Sequence, residues 1–351
     1  MQPATQPSSG PPPAPVYHKP RRSAAEKREA RAAYGFLAPA MLLFVVFVAI
    51  PVVAAVYLSF TRYDIFHSPI WVGLDNYKLL GSDEVFKQSL YNTLYYAALT
   101  ILPGMALSLM LALILNANLK GITFYRAAYY LPVVTSLVAV AMIWMWMLQP
   151  ASGLVNQALA HMWEPFVRGL GSLVHTVTFG QLGEAWMQWT TPQPSWLGTP
   201  DGPRVLGGAP LSLALRSIVV VALWAGLGWN MLIYLAGLQG IPVELYESAN
   251  LDGAGPVARF LHITWPLLKP TTFFIFVTSV IGASQVFGTV YVMTNGGPNN
   301  TTTTIVHQIF QNAFSFLKMG YASAQAFVLF LIIFAVSMFN WLFLKGDVEY
   351  S

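Results

Sequence analysis

Residues Gly240 to Pro270 read GIPVELYESANLDGAGPVARFLHITWPLLKP and separate two strongly apolar segments. Three of the chain's 14 acidic residues, Glu244, Glu247 and Asp252, fall inside this stretch, although only 9% of all residues are charged. A polar stretch of this length between apolar segments indicates a water-exposed connection between two helices that cross a membrane.

Glycine and proline positions predict that this connection folds as helix, turn, helix. Gly240 suits the N-cap of the first helix, and Pro242 suits its first turn, where a missing N–H costs nothing. Gly253 suits the left-handed residue that ends this helix. Gly255-Pro256 starts the second helix, and we expect Trp265-Pro266 to end it.

The first of these helices has one face of small residues. That face contains Leu245, Ser248, Ala249 and Asp252 at helical spacing. Glu244 and Glu247 lie near the N-terminus, where the helix dipole favours negative charge. Two interpretations are open: a solvated loop, or a surface that the backbone of another protein can approach closely.

The composition is that of an integral membrane protein. Hydrophobic residues make up 56% of the 351 residues and the mean hydropathy is +0.56, whereas about a quarter of an average soluble protein is charged. The chain contains no Cys, which excludes disulfides, thiolate metal sites and Cys nucleophiles. The net charge of +4 does not indicate nucleic-acid binding, because the basic residues cluster beside the apolar segments.

Six apolar segments meet the length of about 20 residues that a membrane-spanning helix needs. They cover about residues 35–60, 89–115, 127–148, 211–236, 267–292 and 322–344, and hold no Asp, Glu, Lys or Arg except Arg216 and Lys269 near the starts of the fourth and fifth. We therefore predict an all-α integral membrane protein with six transmembrane helices over residues 34–346. Residues 1–33 form a disordered basic tail and residues 347–351 a C-terminal tail.

The positive-inside rule predicts that both termini lie in the cytoplasm. With this orientation, 11 of the 18 Lys and Arg residues fall in the shorter cytoplasmic segments, six of them in the N-terminal tail. A signal peptide is disfavoured because the apolar run from Phe36 to Phe60 is too long. The alternative for the basic tail is a nucleic-acid patch. With both termini in the cytoplasm, the segment 240–266 also lies on the cytoplasmic side.

Several motifs carry a resemblance to a known family. Glu247-Ser248-Ala249, followed by Gly253, Ile263 and Pro266, resembles the Glu-Ala-Ala loop of ABC-importer permeases in order and spacing; Ser248 replaces Ala and Trp265 the usual Leu. Trp71–Tyr77 and Thr294–Pro298 resemble outer loops of sugar-type permeases. Gln149–Asn156 and Pro194–Gly198 also resemble segments of this family, and the resemblance covers about residues 34–345.

This resemblance implies the type I ABC importer permease fold, similar to the maltose and glycerol-phosphate transporters. It implies that segment 240–266 docks on a separate ATPase subunit through Glu244, Glu247, Ser248, Ala249, Asp252, Gly253, Ala254, Arg259, Ile263 and Pro266. It further implies a second permease, an ATPase dimer that binds ATP and Mg²⁺, an external solute-binding protein and a sugar substrate. The expected location is the inner or plasma membrane of a prokaryote.

Motifs for chemistry are missing from the chain. No Gly-Lys dipeptide is present, which excludes a phosphate-binding loop, and no His-Glu-x-x-His occurs. No apolar segment carries a carboxylate for a proton relay. We expect a transport subunit that is not an enzyme and binds no cofactor or metal itself. A stand-alone carrier or channel and a membrane enzyme are the alternatives.

Neutral polar and aromatic residues in the later apolar segments are candidates for a substrate pathway. They are Trp224, Gly226, Trp229, Asn230, Ser279, Ser284, Gln285 and Tyr291. Amides bind hydroxyls and aromatic faces stack on sugar rings, which suits an uncharged polyhydroxyl solute. The alternative is that they form hydrogen bonds between helices.

The outer segment 149–210 is long. Apolar residues occur at helical spacing from Leu154 to Val177, which predicts a helix lying in the membrane interface. The tryptophans expected at headgroup depth are Trp163, Trp186, Trp189 and Trp196. The alternative is an added contact surface for an external binding protein.

Overall fold

The computed structural model describes residues 24–117, 120–162, 194–198 and 212–344, which are almost entirely helical. The helices are α1 (Ala24–Phe44), α2 (Ile50–Ser59), α3 (Asp75–Ser82), α4 (Glu84–Leu115), α5 (Ile122–Val134), α6 (Leu137–Met147), α7 (154–162), α8 (Leu213–Gln239), α9 (Val243–Leu251), α10 (Pro256–Arg259), α11 (Trp265–Leu267), α12 (Lys269–Ser284), α13 (Gly288–Met293), α14 (Ile305–Phe310) and α15 (Met319–Leu344). Short π-helical turns occupy Val45–Ala49, Phe260–Thr264 and Gln311–Ser315.

The chain divides into two compact units, Met1–Ala54 and Ala55–Ser351. In the first unit, α1 begins at Ala24, so the prediction of a disordered tail up to residue 33 is wrong for residues 24–33. The reason is local, because Ala, Glu, Lys and Arg dominate this stretch and are strong helix formers. The remainder of the predicted tail, residues 1–23, lies outside the described residues.

Five helical segments in the described residues are long and apolar enough to cross a membrane, or six if one bent pair counts as a span. Four of the five are Arg31–Ser59, Glu84–Leu115, Leu213–Gln239 and Met319–Phe339. The fifth, Lys269–Met293, is interrupted between α12 and α13. Each lies within a few residues of a predicted span.

The third predicted span, 127–148, is the bent pair. Here α5 and α6 meet at 98° instead of forming one straight helix. Pro132 lies in the last turn of α5, and Thr135 takes extended backbone angles, φ −82° and ψ 143°. The break follows Val134, two residues after Pro132, and Ser136 is the N-cap from which α6 starts.

The core of the second unit forms where α4 packs along α8. The Ser108 hydroxyl donates to the Leu227 carbonyl across this contact at 3.1 Å. On another side of α8, the backbone of α5 passes so close to Gly228 that a Cβ there would clash with the Tyr129 carbonyl. Small residues let membrane helices approach in this way, so Gly228 fixes the spacing of α5 and α8.

A β-hairpin and α3 lie at the N-terminal end of α4. Strands β1 (Thr61–Arg62) and β2 (Ile70–Trp71) pair antiparallel. The Asn76 side-chain amide donates to the carbonyls of Ser59 at 2.8 Å and Thr61 at 2.9 Å. The Gly320 N–H donates to the Tyr63 carbonyl at 3.2 Å, which brings the start of α15 to the hairpin. We call this region the Asp83 end, after the N-cap of α4.

The connection between α8 and α12 lies at the opposite end of α4. Leu113, in the last turn of α4, lines a cleft together with Tyr246 and Val257 of this connection. At the same end, the Arg126 guanidinium donates to the Leu115 carbonyl at 2.8 Å. We call this region the Leu115 end. Because α4 has 32 residues, about 48 Å separate the two ends.

Candidate functional site

The segment from Val243 to Leu267, here called the elbow, has two helical arms joined at Gly253. The first arm is α9, and Gly253 follows it with φ +77°, as predicted. The N–H of Ala254 donates to the Ala249 carbonyl at 2.9 Å, which closes the turn. The second arm starts at Pro256 with Gly255 as its N-cap, also as predicted.

Two predicted details of the elbow are wrong. The N-cap of α9 is Pro242, while Gly240 ends α8 and donates its N–H to the Ala236 carbonyl. Trp265-Pro266 does not end the second arm, because the π turn Phe260–Thr264 leads directly into α11. Trp265 N–H bonds the Phe260 carbonyl, and such a widened turn accommodates a proline without breaking the helix.

Two side-chain hydrogen bonds connect the arms. The Tyr246 hydroxyl lies 2.9 Å from Thr264 Oγ1. The Arg259 guanidinium donates to Asn250 Oδ1 at 2.6 Å. Tyr246, Asn250 and Thr264 were not among the residues predicted for this site. One sequence feature could have identified two of them: Tyr246 and Asn250 are four residues apart and are therefore neighbours on one face of α9.

The elbow exposes apolar side chains around its turn. Leu251 is 90% exposed and Val257 is 70% exposed, one on each side of Gly253. Of the predicted docking residues, five are exposed and five are partly buried: Glu244, Glu247, Ser248, Asp252 and Gly253 in the first group, and Ala249, Ala254, Arg259, Ile263 and Pro266 in the second. Between the elbow and α4 lies a cleft of about 480 Å³.

Three of the eight predicted pathway residues come together in the structure. Gly226, Asn230 and Ser279 line a cavity of about 190 Å³ between α4, α8 and α12. Tyr96 and Thr100 of α4 also line it, and sequence reasoning did not select them. Their burial depends on which face of α4 meets α8, which periodicity alone does not reveal in a helix that is apolar all round.

The other five predicted pathway residues do not line this cavity. Trp224 packs edge-on against Trp144 with ring centroids 5.8 Å apart, and Tyr291 stacks on Phe287 at 5.2 Å. Trp229 and Gln285 are exposed and Ser284 is partly buried. The structure thus divides the predicted set into a group at the cavity and residues that face elsewhere.

A buried polar cluster joins the Thr294–Pro298 motif to α4. The Asn92 amide donates to the carbonyls of Asn300 at 3.0 Å and Thr303 at 2.9 Å. The fully buried His307 has its Nε2 3.2 Å from Asn295 Oδ1, and burial lowers the pKa of this imidazole. This cluster fixes the loop that follows α13 against the Asp83 end.

The segment 149–210 is described only in part. Residues 154–162 form α7, and the Trp196 indole donates to Asn156 Oδ1 at 2.7 Å. Most of the predicted interfacial helix, together with Trp163, Trp186 and Trp189, lies outside the described residues.

Comparison with known proteins decides the family. The model of the binding-protein-dependent transport system inner membrane component family matches residues 93–344, which include most of α4, the elbow and the residues that line the cavity. The chain belongs to this family. This confirms the predicted permease and its all-α membrane fold.

The permease is similar to curated relatives over most of its length. It is 34% identical over 320 residues, 90% of this chain and 97% of the relative, to the probable ABC transporter permease protein YurN of Bacillus subtilis. It is 31% identical, over 91% of this chain and 96% of the relative, to the sn-glycerol-3-phosphate transport system permease protein UgpA of Agrobacterium fabrum.

The fold of the permease is also found in solved structures. One is a bacterial alginate ABC transporter in complex with an alginate pentasaccharide-bound periplasmic protein. It matches with a TM-score of 0.71 and 20% identity, over 90% of this chain and 94% of that one.

Proposed function

We propose that this permease is the membrane-spanning subunit of an ATP-driven importer for a carbohydrate or a carbohydrate derivative. The ATP and Mg²⁺ bind to a separate ATPase dimer. A second permease completes the pathway, and an external solute-binding protein delivers the substrate. Both termini and the elbow lie in the cytoplasm of a prokaryotic cell, and the Asp83 end faces outward.

The elbow supports a role in coupling ATP hydrolysis on the ATPase to transport through the membrane. It presents Leu251 and Val257 to solvent around a turn, at the end of the molecule that the charge bias assigns to the cytoplasm. Burying an exposed side chain of this type against a partner stabilises a contact by about 1.5–3 kcal/mol. Exposed Glu244 and Glu247 lie on the same arm and suit basic residues on the partner.

The hydrogen bonds between the two arms support the transmission of a displacement from the ATPase to the membrane helices. Because Tyr246–Thr264 and Arg259–Asn250 connect the arms, a displacement of α9 moves the segment that continues into α12. Helix α12 carries Ser279, which lines the cavity. Closure of the ATPase dimer would therefore change the cavity between α4, α8 and α12.

The cavity supports the substrate class. Its polar lining residues, among them Asn230, Ser279, Thr100 and Tyr96, are all uncharged, which suits hydroxyl groups better than an ion. The names of a glycerol-3-phosphate permease and of a structurally similar alginate transporter support a carbohydrate derivative as the substrate, although both of those solutes are anionic.

Reconstitution of the permease tests this proposal. We expect a tagged permease to co-purify with a second permease and an ATPase, and the assembly to take up sugar in liposomes only with ATP and a binding protein. Solute flux through the permease alone would instead support a stand-alone carrier or channel. If the complete assembly hydrolyses ATP without stimulation by a binding protein and takes up no sugar, the importer proposal is contradicted.

A further inference from the structure

A cleft of about 510 Å³ opens at the Asp83 end, and the proposed function leaves it without a role. It lies between the β-hairpin, α3, the start of α4 and the turn before α15. Two basic residues, Arg62 and Lys318, and two acidic residues, Asp64 and Asp83, line it. The cleft therefore combines charges from three separate parts of the chain.

The two carboxylates already have partners. Asp83 Oδ1 accepts from the N–H groups of Val85 at 2.9 Å and Phe86 at 3.1 Å, and its Oδ2 accepts from the Tyr321 hydroxyl. Asp64 accepts from the backbone N–H of His67 at 2.9 Å and lies 2.8 Å from its ring. Hydrogen bonds from His67 lower the pKa of Asp64, so it remains ionised and bound to His67.

The two basic residues lack such partners. Within the described residues, the ion pairs are Asp64–His67, Asp75–Lys78 and Glu84–Lys87, and none includes Arg62 or Lys318. Both side chains are exposed. The nearest interaction of the Lys318 ammonium is with the Phe316 ring, 5.9 Å from its centroid. Within the described residues, the cleft therefore holds two cations that form no direct ion pair with a carboxylate.

The backbone under these cations is held firmly. Asn76 bonds the carbonyls of Ser59 and Thr61, next to Arg62. Gly320, two residues after Lys318, packs so closely on this strand that a Cβ would clash with the Thr61 carbonyl. A fixed backbone reduces the entropy that is lost when a ligand binds.

We propose that this cleft binds an acidic side chain of the external solute-binding protein, with Arg62 and Lys318 on either side of its carboxylate. The proposal rests on the proposed function, which places the Asp83 end outside the cell. Arg binds carboxylates through two parallel N–H donors, and Lys adds a point charge. Such charges set the rate and orientation of docking more than the final affinity.

A protein carboxylate fits the cleft better than an anionic lipid headgroup. Two carboxylates, Asp64 and Asp83, line the cleft together with Arg62 and Lys318. The lining therefore has no net positive charge to attract a layer of anionic lipids, whereas Arg62 and Lys318 can donate directly to one projecting carboxylate.

Titration of the reconstituted transporter with the binding protein that stimulates the wild type tests this proposal. We expect Arg62→Gln and Lys318→Gln each to raise the half-saturating concentration of binding protein about threefold. We expect the double reversal Arg62→Glu/Lys318→Glu to raise it about tenfold or more. Raising the ionic strength should increase the half-saturating concentration of binding protein more for the wild type than for the double variant.

Lys78→Gln and Lys87→Gln are matched controls, because both cations lie at the same end but already form ion pairs. We expect them to leave the half-saturating concentration unchanged. Co-purification of the ATPase with a variant shows that this variant has assembled into the transporter. If the double variant does not assemble, the two single variants test the proposal.

Three results would overturn the proposal. One is an unchanged half-saturating concentration in assembled Arg62 and Lys318 variants. Another is an effect of these variants only on the dependence of activity on anionic lipid, which would identify a headgroup as the ligand. If no binding protein stimulates the wild type, the proposed function itself fails, and this proposal fails with it.

Discussion

At the scale of single residues, His307 shows how burial makes stability depend on pH. Its side chain is fully buried, and its ring contacts Asn295, Phe287 and Tyr291, none of which carries a charge. Protonation would place an unbalanced charge in the polar cluster that holds the loop after α13. The pKa of His307 in the folded protein is therefore lowered by desolvation.

We predict that the permease loses stability as the pH falls below about 6.5, the ordinary pKa of His. Because the folded-state pKa is lowered, the unfolded chain binds more protons between the two pKa values, and stability is complete only above this range. The thermal unfolding midpoint in detergent should fall between pH 7.5 and pH 5.5. It should fall less in His307→Gln, and an equal decrease in both proteins would contradict the role of His307.

At the scale of elements, the angle of the elbow depends on the left-handed turn between its arms. Gly253 has φ +77°, a conformation that costs a residue with a Cβ roughly 1–2 kcal/mol. Gly255, two residues later, has φ −69° and no heavy atom near the position of a Cβ. The two glycines therefore provide a comparison of backbone strain within the same turn.

We predict that Gly253→Val inserts normally but uncouples ATP hydrolysis from transport, because the strained turn changes the direction of α10. Uptake should fall at least about tenfold, while Gly255→Val should retain most of it. Uptake and ATPase activity, both stimulated by binding protein, are the measurements. Normal values of both in Gly253→Val would show that the turn does not set the coupling geometry.

At the scale of the whole molecule, α4 separates a surface proposed to face the ATPase from a surface proposed to face the binding protein. The chain contains no Cys, so single cysteines can report on each end. Ser82 is exposed at the Asp83 end, and Leu251 is 90% exposed on the elbow at the Leu115 end.

We predict that Ser82→Cys reacts with a membrane-impermeant maleimide in intact spheroplasts, whereas Leu251→Cys reacts only after the membrane is permeabilised. The physical basis is the distribution of Lys and Arg, which favours the Leu115 end in the cytoplasm. The Cys-free parent is the control for background labelling. The opposite labelling pattern would reverse the orientation and refute both docking proposals.

The sequence by itself determined the features that depend on neighbouring residues. Apolar runs of about 20 residues located the spans, because a hydrocarbon core excludes charge wherever a helix crosses it. The left-handed Gly253 and the start at Pro256 followed from backbone chemistry within a few residues. A local rule failed at Pro266, because a π turn lets the helix continue past this proline.

Only the tertiary structure decided which distant residues meet. Tyr246 and Thr264 are 18 residues apart in sequence but form a hydrogen bond. Arg62 and Lys318 line the same cleft because the hairpin packs on the start of α15. Gly226, Asn230 and Ser279 share a cavity because α4 turns Tyr96 and Thr100 towards α8 and α12. The composition of an apolar helix determines that it inserts into the membrane. Which of its faces contacts another helix depends on close packing and a few hydrogen bonds, and both depend on the partner helix.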